Sequence, residues 1–113
     1  MPRLTFSQAM TANQRGLNPF SGWQYEYAPY PCQVKVLINA TTVGVQETIY
    51  TGSETVQERS PVQGGGTAGV LPAELNTSAV RFNAAAGDRL KMALDEVLGG
   101  TPTVNVDVTL DML

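Results

Sequence analysis

Thr103-Val-Asn-Val-Asp-Val-Thr-Leu110 is the stretch whose reading decides the fold. Val104, Val106, Val108 and Leu110 fall on one parity, and Asn105, Asp107 and Thr109 on the other. A period of two is the signature of a strand with one face buried and one face wet. On a helix the same residues would scatter around the axis.

Working outward, Cys32-Gln-Val-Lys-Val-Leu-Ile-Asn-Ala40 repeats the pattern through Cys32, Val34, Val36 and Ile38. Residues 43–50 are expected as its hairpin partner, joined across Asn39-Ala-Thr-Thr42. Thr51-Gly-Ser-Glu54 reads as a turn into a strand over 55–60, which Pro61 ends. Gly64-Gly-Gly66, with Gly69 and Pro72, predicts a long mobile loop, and 78–83, with Val80 and Phe82, another short strand. Residues 88–98 admit two readings. Asp88 as N-cap, Leu90, Leu94, Val97 and Leu98 as an apolar stripe, and Gly99 past the end would make a short helix. As a strand, Leu90, Met92 and Leu94 alternate with Lys91, Ala93 and Asp95, and could pair with 104–110 across Gly99-Gly-Thr-Pro102. The strand is adopted on that context. Short strands separated by Gly and Pro predict an all-β domain, an antiparallel β-sandwich or jelly-roll-like body over residues 32–113.

The first thirty-one residues have a different character. Six of the eight aromatic residues, Phe6, Phe20, Trp23, Tyr25, Tyr27 and Tyr30, lie there among Pro2, Pro19, Pro29 and Pro31. The segment carries a net charge of +1, against −4 for the remainder. Proline disfavours regular ladders and favours an extended path, so residues 1–31 are expected to form an N-terminal arm. Alternation of Trp23, Tyr25 and Tyr27 would place three rings on one face of an extended strand. Such a face suits a core edge strand, a subunit interface or a sugar-stacking platform. Rings with polar tips favour interfaces, and the six aromatics are taken here as candidate subunit-interface residues. Burying them does not by itself offset the entropy of ordering thirty residues, so the arm also needs backbone pairing or a partner surface.

Composition narrows the function classes. A chain of 113 residues fits one domain whose core is small, so oligomerisation would add stability. Charged residues make up 15%, against about 25% in an average soluble domain, which suits a protein packed among neighbours. There is no Lys/Arg cluster, so no nucleic-acid partner is expected. The opening Met-Pro-Arg-Leu-Thr-Phe has no secretory apolar region, and no run reaches the length of a membrane helix, so no membrane partner is expected. The single Cys32 fits synthesis in a reducing cytoplasm and reads as a small buried side chain at a strand start.

No catalytic or metal-ligating set emerges. With no histidine, imidazole bases, Ser-His-Asp and Cys-His arrangements and most zinc sites are removed. Glu47, Glu54, Glu58, Asp95, Glu96, Asp107 and Asp111 could in principle supply paired carboxylates, but read as solvated strand faces and loop caps. Gly64-Gly-Gly66 has no following Lys, so it is not a phosphate loop. The expectation is a non-enzymatic protein with no cofactor.

The body resembles a known class. Val34-Lys-Val-Leu-Ile-Asn-Ala-Thr41, Glu58-Arg-Ser-Pro-Val62, Gly64-Gly-Gly-Thr-Ala-Gly69, Ala85-Ala-Gly-Asp-Arg-Leu90 and Gly99-Gly-Thr-Pro-Thr-Val-Asn-Val106 look like small virion proteins of tailed bacteriophages. The chain is most similar to capsid decoration, or cement, proteins. The resemblance implies a structural protein on the exterior of the virion capsid, made in the host cytoplasm. It would form a homotrimer, bind major capsid protein subunits and stabilise an icosahedral head by bridging capsomers. Alternatives are another minor virion component, such as a spike base or minor capsid protein, or a small carbohydrate-binding sandwich module. No site residue carries over, since such proteins act through surfaces.

Overall fold

The computed structural model describes residues 3–52, 54–72 and 79–113. Seven strands occur among them: β1 (Arg3–Ala9), β2 (Cys32–Ala40), β3 (Val45–Thr51), β4 (Glu54–Pro61), β5 (Val80–Ala84), β6 (Leu90–Glu96) and β7 (Thr103–Met112). They build two antiparallel sheets, one ordered β1-β7-β2-β5 and the other β4-β3-β6. The sheets pack face to face as a β-sandwich, and no helix occurs among the described residues. Ser78, the expected start of the fifth strand, and Ser53 of the Thr51–Glu54 turn lie outside the described residues.

Period-two patterning does the work expected of it. Val104, Val106, Val108 and Leu110 of β7 are fully buried, and so are Cys32, Val34 and Val36 of β2 beside them. From the second sheet Val45, Ile49, Leu90, Met92 and Leu94 close the core. Cys32 is buried at the first residue of β2, and burial pushes its thiol pKa up, so it is an inert apolar filler.

Strand 88–98 is correct, but its expected partner is not. β6 lies in the second sheet, paired with β3, whereas β7 lies in the first, paired with β1 and β2. The expected hairpin between β2 and β3 is absent for the same reason, since their connection crosses from one sheet to the other. Inner-face alternation is identical for a hairpin and for an arch between facing sheets, so it fixes the face and leaves the partner open. Asp88 is no helix cap: its Oδ2 accepts from the Ala85 N–H at 3.0 Å and closes the turn before β6.

The Gly-rich segment is a strap rather than a mobile loop. Ala40 N–H donates to Gln63 O at 2.9 Å, and Gly66 N–H to Ala40 O at 2.9 Å. Beyond it, Asn105 accepts from Gly69 N–H and donates from Nδ2 to Thr67 O and Asn39 Oδ1. Asn105 is thereby completely covered on the outward side of β7, with its polar atoms satisfied. A Cβ on Gly66 would stand 2.8 Å from Asn39 Oδ1, so an added methyl would have to push the Asn39 amide off its contact with Asn105.

Candidate assembly interface

From Arg3 onward, the expected N-terminal arm lies against the body. β1 pairs with β7 in continuous register from Arg3 opposite Thr109 to Ala9 opposite Thr103. Arg3 clamps that pairing through a two-pronged contact with Asp107, at 2.9 and 2.8 Å. Beyond β1 the chain crosses to the second sheet and runs antiparallel along the free edge of β6. Glu96 N–H donates to Gln14 O, Leu94 and Leu17 exchange both backbone bonds, and Leu90 N–H donates to Glu26 O at 2.7 Å. Asn18 Oδ1 accepts from Met92 N–H and Phe20 N–H. The segment therefore obtains the backbone pairing that ring burial alone could not replace.

The six aromatic candidates part company. Phe20 is completely buried, which takes it out of the expected contact surface and into the core. Phe6, Trp23, Tyr25 and Tyr30 are half-buried and pack against that core, while Tyr27 is 59% exposed. The expected extended stretch over Trp23, Tyr25 and Tyr27 is two successive turns. Trp23 N–H donates to Phe20 O at 3.1 Å and Glu26 N–H to Trp23 O at 2.9 Å. This folds the rings onto one another: Trp23 lies 6.0 Å from Phe20 and meets Tyr25 edge-on, at 5.5 Å and 75°. Rings set at that angle do not offer a flat stacking platform. Arg89 Nε, held by Glu26 Oε2 at 2.9 Å, ties the loop back to the start of β6.

Two carboxylates expected on solvated faces are buried. Glu96 is fully enclosed; Oε1 accepts from Asn13 and Gly99 N–H, and Oε2 from Leu98 N–H. These donors, Asn13 first, hold its pKa below the ordinary carboxylate range. Glu96 thus pins the turn at Asn13, whose φ of 59° is left-handed, to the Gly99-Gly100 arch. Glu47, 5% exposed, faces the core from β3; burial pushes its pKa up to about 7, and a hydrogen bond from Gln57 opposes that only partly. Both were legible by parity, since Glu47 alternates with Val45 and Ile49, and Glu96 continues Leu90, Met92 and Leu94.

A sandwich has four edges, and each exposes backbone groups that can pair with another chain unless blunted. β5 is only five residues long. β6 is covered by residues 14–28, as described above. β4 carries Glu54, Glu58, Arg59 and a terminal Pro61, and its register with β3 slips twice between Glu47 and Tyr50. β1 has none of these devices. After Arg3 it runs Leu4-Thr-Phe-Ser-Gln-Ala9 without charge, proline or slipped register, and among the described residues β7 is its sole strand neighbour. Exposed apolar side chains occupy the ends: Val43 and Leu98 about Gly44 at one, and Met112 and Leu113 at the other, where Leu113 N–H reaches Pro31 O. Comparison with known proteins gives no match to a family model, a curated protein or a solved structure.

Proposed function

We propose that this chain is a structural virion protein without catalytic activity, a capsid decoration or cement subunit on the outside of an icosahedral head. In this reading it contacts major capsid protein subunits and its own copies in a homotrimer, bridging capsomers without touching nucleic acid or membrane. The observation that carries the proposal is the β1 edge. Three edges of the sandwich are short, covered or charged, and the fourth presents seven residues ready for strand addition. The half-buried Phe6, Trp23, Tyr25 and Tyr30 and the exposed Tyr27 extend the contact surface, with Val43, Leu98 and Met112 at its ends.

The wiring supports the same reading. In the orders β1-β7-β2-β5 and β4-β3-β6, residues 14–28 take the place of an eighth strand beside β6. We read this as a jelly roll with one irregular strand, an architecture used in viral shells. Architecture alone does not assign function, so the edge carries the argument.

The test joins light scattering with co-sedimentation on empty heads. The wild-type chain should exceed the 12.1 kDa monomer mass, or gain higher mass on the heads, and should co-sediment saturably. Thr5→Lys, at an exposed position of β1, should leave thermal stability unchanged and weaken attachment by roughly tenfold or more, as loss of a contact residue does. A monomer that ignores heads, or a Thr5→Lys variant that binds as tightly as wild type, overturns the proposal.

A further inference from the structure

Where β4 leaves the second sheet and its continuation crosses to the end of β2, the sandwich is open. A cleft of about 310 Å³ lies there between the sheets. Ile38, Val62, Val80 and Pro61 give it apolar walls, and Glu47 and Gln57 supply its polar groups together with Gln63. Glu47 is more than nine-tenths buried, and its Oε2 receives no hydrogen bond. The Gln57 amide donates to the Glu47 carboxyl, which leaves Gln57 Oε1 without a partner as well. A native fold seldom leaves two adjacent buried polar atoms unsatisfied, and each such case asks for an explanation. In the protonated carboxyl the hydrogen on Oε2 can serve Gln57 Oε1, whereas with Glu47 ionised both atoms are acceptors. What would complete them is a group that brings hydrogens, and beside a carboxylate a cationic group gains most.

We infer that this cleft binds an alkylammonium or alkylguanidinium group, its cationic head against Glu47 Oε2 and Gln57 Oε1 and its aliphatic stem along Ile38, Val62 and Val80. The size and lining agree with small-ligand sites, which are mainly apolar with a few placed polar groups. The site lies away from the β1 edge and does not depend on the assembly role proposed above.

Among the described residues, charge within the cleft comes from Glu47 alone. Its neighbours across the sheet are Ser60 on β4 and Leu94 on β6, and the lining brings no other ionisable side chain. Arg59 pairs with Asp95 on the outward side of the second sheet, Lys91 lies over the Tyr50 ring, and Lys35 and Arg81 occupy outward positions of the first sheet. Burial raises the Glu47 carboxyl to about 7, so an arriving cation must displace its proton. Binding is therefore coupled to pH, with affinity falling roughly ninetyfold from about pH 8 to about pH 5 as the ionised fraction declines.

The probe is n-butylguanidinium added to the full chain, followed through the methyl resonances of Ile38, Val62 and Val80. Saturable shifts at about pH 8 that weaken in acid and vanish in Glu47→Gln support the site. If Glu47→Gln fails to fold, the wild-type Glu47 carboxyl resonance serves instead, and the probe should lower its titration midpoint. Equal shifts from the neutral 1-butanol, or an unmoved carboxyl midpoint at saturating probe, overturn the inference. An arginine-bearing extended peptide is the second arm. Tighter binding than the free probe assigns the group to a partner's side chain, and equal binding assigns it to a free small molecule.

Discussion

Replacing Glu47 with Gln should change the pH dependence of stability more than stability itself. The folded carboxyl titrates near 7, against an ordinary value of 4.5. Below about pH 4.5 both folded and unfolded chains hold the proton, and burial costs nothing beyond the neutral acid. Between the two values the unfolded chain releases its proton while the folded one keeps it, so stability falls as pH rises, by up to about 1.4 kcal/mol per unit. Above about 7 the loss is complete. A separation near 2.5 units corresponds to about 3 kcal/mol, a large fraction of a small domain's stability. Gln keeps the shape and does not ionise, so whatever it costs in packing is the same at every pH. Urea unfolding at about pH 4 and about pH 8, followed by Trp23 fluorescence, should show the variant gaining about 3 kcal/mol on wild type between them. A gap constant to within about 0.5 kcal/mol would refute the buried, desolvated placement of this carboxyl. Glu96 acts in the opposite sense. Its folded pKa is depressed, so its contribution is present above the ordinary carboxylate value and fades as pH drops through the lower folded one.

Two further outcomes probe the packing. Phe20→Ala should lower stability by about 3–5 kcal/mol in chemical denaturation, as expected of a fully buried ring and not of a surface anchor. Gly66→Ala should cost about 1–3 kcal/mol in thermal unfolding, because the new methyl meets Asn39 Oδ1 at 2.8 Å and loosens the strap over Asn105.

These cases mark how far the sequence could be read. Alternation identifies β2 and β7 and their inner faces; at 90–96 it fits a strand but leaves the helix open, and the strand is preferred there for a pairing with 104–110 that does not form, although Leu90, Met92 and Leu94 are all buried. It could not tell a hairpin from an arch, so both β2–β3 and β6–β7 were expected to pair within one sheet, and neither does. Residues 14–28 carry no sustained alternation beyond Trp23, Tyr25 and Tyr27, because their pairing with β6 is broken by the turns around Phe20 and Trp23, and a pairing segment of that kind looks like an arm. The charge of Glu47 points to a solvated face, whereas its parity with Val45 and Ile49 points inward, and parity wins.

The pairing of β1 with β7 joins the first and last described strands, with Arg3 opposite Thr109. During synthesis the β1 segment waits beside an unfinished sheet until Thr103–Met112 has left the ribosome. Until then Leu4 and Phe6 have no β7 to cover them, and the Asp107 that anchors Arg3 has not been made. Closing a loop with a sequence separation of 104 between Arg3 and Asp107 is an entropic cost met late, so the domain should fold slowly for its size. For that interval this edge strand is free to meet the same strand of a neighbouring nascent chain.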